Sequence, residues 1–216
     1  MADLDFFFDP VCPWAWITSR WVSEVQQLRS YDVHWRFISL AVLNDDLVAD
    51  WYTPEYRRGH VAGLEALRVA DAVRVTADNA AVGAFYTTLG TAIHRDQRGA
   101  QLREGPFEQL VELFAETLTA AGLDPALAGH AGDESHDVHI RAETALARQR
   151  AGNDVGTPIL TFHPGAADEN SFFGPVIAAA PRGEAAVRLW DAIELIATTS
   201  GMAELKRSLR SRPVFD

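Results

Sequence analysis

Strand, helix and strand follow one another within the first forty residues, and this order limits what the rest of the chain can become. "LDFFFD", from Leu4 to Asp9, is apolar, too short for a helix and closed by Asp-Pro, so it reads as a buried strand. Ile17, Trp21, Val25 and Leu28 then recur at helical spacing, with Pro13 where a first helical residue stands. "DVHWRFISLAVL" alternates Val33, Trp35 and Phe37 and runs on into Leu40, the pattern of a second strand. A βαβ unit of this kind takes a right-handed crossover and parallel strands.

Beyond Asn44 the period changes. Between Pro54 and about Arg150 every periodic segment is helical: Val82, Phe85, Tyr86, Leu89 and Ile93 form one stripe, and Phe107, Leu110, Val111, Phe114 and Leu118 another. Asp124-Pro125 has the form of an N-cap followed by proline at the first helical position. Breaks near Asp96 to Gly99 and Gly129 to Gly132 separate the helices. Strand character returns in "TPILTFH" (Thr157 to His163) and, after a turn rich in Pro, Gly, Asp and Asn, in "SFFG" (Ser171 to Gly174), two segments that read as a hairpin. Two helical stripes close the chain, one from Ala186, Leu189, Trp190, Ile193 and Ile196 and a shorter one from Met202, Leu205 and Leu209. The expected architecture is α/β, a βαβ half and a ββα half with an all-helical subdomain inserted between them. Residues 1–44 and 154–216 would form the sheet domain and residues 45–153 the insertion.

The formal charge is −11 and no Lys/Arg run interrupts it, which argues against nucleic acid or an anionic membrane surface as partner. No segment reaches the roughly eighteen apolar residues that span a bilayer. The first residues show no basic region, apolar stretch and cleavage site in series, so a cytoplasmic location is expected. A single cysteine, Cys12, excludes intramolecular disulfides and fits a reducing compartment.

Cys12 falls where the first strand gives way to the first helix, in "DPVCPWAW". A helix start offers unpaired N–H groups and the positive end of its dipole. Because Pro13 has no N–H, the natural donors to a thiolate are the amides of Trp14 and Ala15. Lowering a thiol pKa from about 8.5 to about 7 takes roughly 2 kcal/mol, and the dipole gives only about 0.3–1 kcal/mol, so direct N–H bonds must supply the rest. Position alone leaves two readings open, a buried structural cysteine or a reactive one in an electropositive, accessible setting.

A strand ending in Cys-Pro-Trp at a helix start resembles the thioredoxin superfamily, and the helical insertion with "VGTP" (Val155 to Pro158) before a later strand resembles its DsbA-like branch. "DPVCPWAW", "SLAVLN", "GTPIL", "FFGPVI", "PRGEAAVRLWDA" and "ELKRSLRSRPVFD" together resemble the mycothiol-dependent nitroreductase group of that branch. The resemblance implies a thioredoxin-like fold with Cys12 as catalytic nucleophile in a motif completed by Pro13, Trp14 and Ala15. It implies that Pro158 is a cis-proline beside the thiol and that Thr157 offers its backbone to a bound thiol or peptide. An antiparallel strand entered at Pro158 also starts on the edge where the first strand ends. Relatives with Cys-Pro-Trp-Cys are thiol-dependent reductases; here Ala15 replaces the second cysteine. With one thiol, any redox cycle must run through a mixed disulfide resolved by an outside thiol, or through a Cys12–Cys12 dimer. The family's implied partner is a low-molecular-weight thiol such as mycothiol, acting as cosubstrate, with no tightly bound cofactor. Ala15 also lacks the S–H donor of the dithiol relatives, so Cys12 should be less acidic than theirs.

Other candidates carry a bland reading beside a functional one. Trp14 can stack on a substrate or cover the thiol. Asn44 leaves the second strand at the edge shared with Cys12, where ligands gather, but also suits a cap or turn. Tyr56, in "TPEYRR", is substrate-facing by the resemblance and half-buried packing otherwise. His136 and His139 share a helix face without further ligands in view, so no metal site is expected. Neither a dinucleotide fingerprint nor a phosphate loop is present in the sequence. Three functions remain: a thiol-dependent oxidoreductase working through Cys12, a kappa-class-like thiol transferase or isomerase that activates a cosubstrate's sulfur, and a non-catalytic binding module. An exposed apolar helix face in the insertion leaves room for a homodimer.

Overall fold

The computed structural model describes residues 2–208 and 211–215. Its sheet has four strands, β1 (Leu4–Phe8), β2 (Val33–Phe37), β3 (Ile159–Phe162) and β4 (Asn170–Phe173), in the order β2-β1-β3-β4. β1 and β2 are parallel, with Leu4 opposite Val33 and Phe8 opposite Phe37. β3 runs antiparallel to β1 and β4 antiparallel to β3, so Ile159 faces Phe7 at the end where β1 stops. This is the βαβ and ββα arrangement of a thioredoxin-like fold that the sequence predicts.

β1 is central and buried on both faces, which explains its unbroken apolar run. Leu4, Phe6 and Phe8 point into the main core with helix α1 (Pro13–Leu28) and the C-terminal helix α8 (Gly183–Thr198). Trp21 and Trp190 meet there at 5.3 Å, and the Trp21 indole N–H donates to the Ala186 carbonyl, which pins α1 to α8. Phe7 points the other way, into a smaller cluster with Ile38, Ala147 and Ile159.

Between β2 and β3 the chain is helical. A single turn, α2 (Leu40–Leu43), precedes α3 (Pro54–Thr76), α4 (Asn79–Gly90), α5 (Gly99–Glu104), α6 (Phe107–Ala120) and α7 (Asp137–Ala151). A π-helical stretch, Thr91–Arg95, prolongs α4, and two 3₁₀ segments, Pro125–Gly132 and Glu134–His136, lead into α7. The stripe on α4 faces the sheet: Tyr86 stacks on Phe8 at 4.0 Å, and Gly83 leaves the space that the Trp35 indole fills. α7 closes the opposite face, where Glu143 accepts from Arg36 and from the Phe37 amide, and Arg150 reaches the buried Asp5.

Two details depart from the sequence reading. The second strand stops at Phe37 instead of running to Leu40, because the Ser39 side chain accepts from the Val42 amide and starts α2. The short C-terminal stripe does not form a helix over Met202–Arg207, and Leu209 lies outside the described residues. Leu205 stays exposed, so no apolar face is buried to offset the cost of nucleating a helix there. Val214 and Phe215 instead fold back, the Val214 amide donating to the Ala178 carbonyl.

Candidate active site

Asp9 builds the turn that presents Cys12. Its carboxylate accepts from the Val11 amide at 3.0 Å and from the Leu40 amide at 2.7 Å, and its carbonyl accepts from the Cys12 amide. One buried side chain thus ties the loop after β1 to the start of α2. Cys12 is the N-cap of α1, with Pro13 following it and its carbonyl accepting from the Trp16 amide.

The thiol is 6% exposed and its Sγ donates to the Thr157 carbonyl at 3.4 Å. Thr157 is fixed in turn, its hydroxyl donating to the Phe7 carbonyl, and the Thr157–Pro158 peptide is cis. Trp14 is half-buried against the main core and Ala15 is fully buried. The neighbouring amides of Ala15 and Trp14 favour its charged form, but burial outweighs them and, with the nearby Asp9 carboxylate, pushes the thiol up to about 12. The sequence position leaves a buried cysteine and an accessible, reactive one open; the structure has the buried one, and desolvation decides the balance.

Asp9 is itself fully buried with no cationic partner among the described residues, and burial raises its carboxyl to about 7 against the two amide bonds that favour ionisation. Tyr86 also lies near Cys12, and burial pushes its hydroxyl well up, so it stays protonated. On the outer side His94 is buried, its Nε2 2.9 Å from the Pro10 carbonyl, and desolvation lowers it to about 4. The His94 ring lies between Trp16, at 5.9 Å, and Phe215, at 5.6 Å, so the C-terminal tail packs against the loop that carries the thiol. Sequence reasoning passed over these groups. Asp9 reads as the end of the first strand and Tyr86 as part of a helical stripe; the fold brings both near Cys12 and sets His94, with Phe215 on it, against the loop that carries the thiol.

Of the other candidates, Asn44 is the C-cap of α2 and its amide donates to the Leu40 carbonyl, the cap role weighed beside the ligand role. Tyr56 is 51% exposed at the start of α3, in an aromatic group with Trp51, Tyr52 and His60; the Tyr52 hydroxyl lies 3.0 Å from His60 Nδ1. Tyr56, His60 and Gly63 follow one face of α3 at i, i+4 and i+7, and a Cβ at Gly63 would meet Asp9 Oδ1 at 2.6 Å. That face therefore runs from the exposed tyrosine down to the thiol loop. A concavity of about 800 Å³ lies elsewhere, an open groove beside Val33, Trp35, Asn79 and Gly83.

The chain is similar to known proteins in sequence and in architecture. The model of the Rv2466c-like family, described as mycothiol-dependent nitroreductase Rv2466c, matches residues 11–207. A protein of Mycobacterium tuberculosis called "uncharacterized protein Rv2286c" is 30% identical over 209 residues, which cover 96% of this chain and 82% of that one. Among solved structures, a candidate protein disulfide isomerase from Nitrosomonas europaea superposes with a TM-score of 0.53 at 14% identity, over 89% of this chain and 96% of that one. The last similarity speaks to the fold.

Proposed function

The chain belongs to the Rv2466c-like family, and from that membership we propose that it is a thiol-dependent oxidoreductase with Cys12 as its one nucleophile and a mycothiol-like thiol as cosubstrate. The observation that carries the reading is the setting of Cys12, between the helix-start amides of Trp14 and Ala15 and the Thr157 carbonyl ahead of cis Pro158. In this reading residues 45–153 form the subdomain that roofs the thiol, and Tyr56 and Asn44 lie at the mouth of the site.

The resting thiol is closed and protonated, so reaction begins when the cover over Cys12 opens and water or substrate reaches the sulfur. Loss of its proton then leaves a thiolate that the two amides stabilise. The thiolate attacks one sulfur of a disulfide; a Cys12 mixed disulfide forms and the other half leaves as a thiolate that takes up a proton. An external thiolate attacks the substrate-side sulfur, releases Cys12 and becomes the new disulfide partner. Ala15 assigns this resolving step to the external thiol. Exposure of the protein to an oxidised low-molecular-weight thiol followed by intact-mass measurement tests the reading. One adduct at Cys12, removed by the reduced thiol, is expected; a protein that stays unmodified under conditions where the same thiol modifies its urea-opened form overturns it.

One observation favours a second reading, a kappa-class-like transferase. A thiol pushed up to about 12 keeps its proton, and once the cover opens its S–H can turn from the Thr157 carbonyl to the sulfur of a bound cosubstrate and favour that sulfur's thiolate form. Cys12→Ser separates the two, since serine keeps the donor and loses the redox chemistry. Loss of turnover supports the oxidoreductase, and retained turnover supports the transferase.

A further inference from the structure

Away from the thiol, the segment joining the 3₁₀ turns to α7 gathers two histidines and a carboxylate. His136 Nε2 lies 3.1 Å from His130 Nδ1 and 3.9 Å from Asp133 Oδ2, and His130 Nδ1 lies 3.5 Å from Asp133 Oδ2. A point equidistant from the three atoms is about 2 Å from each, the length of a zinc–nitrogen or zinc–oxygen bond. We propose that His130, Asp133 and His136 bind a divalent transition-metal ion, zinc foremost, with solvent completing its coordination.

The surroundings orient each ligand atom. Asp71, fully buried and paired with Arg74, accepts from His136 Nδ1 at 2.8 Å. That bond keeps the proton on Nδ1 and leaves the Nε2 lone pair facing the other two ligands, the carboxylate–histidine–metal relation found around protein-bound zinc. Asp133 is divided in the same way: one oxygen accepts from the Ser135 amide at 3.0 Å and the other faces the histidines. Arg68 braces the segment, donating to the Ala131 carbonyl and making a two-pronged bond to Asp137. His130 and Asp133 are each about 40% exposed in their side chains, which leaves the ion a path in and room for water.

The ligand chemistry sets the class of ion. Two imidazoles and one carboxylate suit zinc, nickel or copper(II), whereas calcium and magnesium take all-oxygen sets and copper(I) takes sulfur. The sequence reading considered His136 with His139. In the structure His139 turns to Asp71, and the partners of His136 are His130 and Asp133 on the preceding turns.

The test uses the untagged chain, stripped with chelator and titrated with zinc chloride by calorimetry, beside Cys12→Ser, His130→Ala, Asp133→Asn and Asp71→Asn. One equivalent should bind to the wild type and to Cys12→Ser alike. Affinity should fall at least tenfold in His130→Ala and Asp133→Asn, both exposed positions whose folding circular dichroism can verify, and roughly 10–100-fold in Asp71→Asn. Cobalt(II) in place of zinc should give d–d bands without sulfur-to-cobalt charge transfer. Absence of saturable binding to the wild type, binding that disappears with Cys12→Ser, or unchanged affinity in His130→Ala overturns the site.

Discussion

Cys12 Sγ and the Thr157 carbonyl oxygen meet at 3.4 Å although 145 positions separate them in the chain. Only a protonated thiol can make this bond, because a thiolate would face the carbonyl's own partial negative charge. The resting site is therefore closed around S–H, with Asp9 adding a second reason for the proton to stay. Iodoacetamide should modify the folded protein slowly, at a rate that climbs through about pH 9 without a plateau, as befits a thiol pushed up to about 12. A rate that levels off near pH 7 contradicts the closed site. Urea below the unfolding midpoint should speed the reaction by opening the cover locally.

Asp9 makes a separate claim on pH. Its folded carboxyl titrates at about 7 because of burial, against an ordinary value of 3.8. A raised folded value means that the native state holds the proton more tightly, so this contribution to stability is present below about pH 4 and is lost as pH rises through 7. Three pKa units set a ceiling of about 4 kcal/mol on the loss. The depressed values of His60 and His94, both mainly from burial, run the other way, raising stability as pH climbs from about 4 to about 6.5. Subtracting wild type from Asp9→Asn cancels the histidines. Urea melts near pH 4 and near pH 8 should show the variant gaining on the wild type by a few kcal/mol across that range. A constant difference sinks the assignment. The side-chain amide introduced by Asp9→Asn has to turn its own N–H group towards one of the two backbone N–H groups, which adds a pH-independent cost of about 1–3 kcal/mol.

These two residues show how far the sequence reaches. Cys12 was legible because its signals are local: an apolar run ending, a proline fitting the first helical position, and amides two and three residues ahead. The sheet order followed from strand length and direction. What local pattern cannot report is how much water remains at a junction once residues far along the chain fold over it. Burial under the folded chain, together with the Asp9 carboxylate, decides that, and it leaves a helix-start thiol a much weaker acid than its local signals suggest. The His130, Asp133 and His136 group was missed because the sequence reading paired His136 with His139, whereas 3₁₀ turns, in which residues three apart eclipse, align His136 with Asp133 and His130. Leu40 and Leu205 mislead in the opposite direction, as apolar residues whose fate is set by Ser39 and by the absence of a surface to cover.

Gly63 supplies a packing prediction on the same site. A methyl group at this position would sit 2.6 Å from Asp9 Oδ1 and 3.0 Å from Val11 Cγ2, so α3 and the loop before Cys12 cannot keep their present spacing. Gly63→Ala should destabilise the fold by about 1–3 kcal/mol, an overpacking cost. It should also raise the iodoacetamide rate at Cys12, because the loop that buries the thiol has to move. Destabilisation without any change in thiol reactivity would show that α3 does not hold the cover closed.

Ala15 offers the sharpest test of the single-thiol cycle. It stands three residues after Cys12 on the first turn of α1, the position from which a second sulfur faces the N-cap sulfur. Ala15 is fully buried, so the added sulfur should cost some stability, but Cys12 already provides a polarisable neighbour rather than a rigid wall. Ala15→Cys should form an internal disulfide under mild oxidation, seen as loss of two hydrogens by intact mass and reversed by dithiothreitol. Disulfide exchange by this variant should then cease to depend on the concentration of the external resolving thiol, whereas the wild type should remain dependent on it. If wild type and variant respond identically to that thiol, resolution does not run through the position that Ala15 occupies.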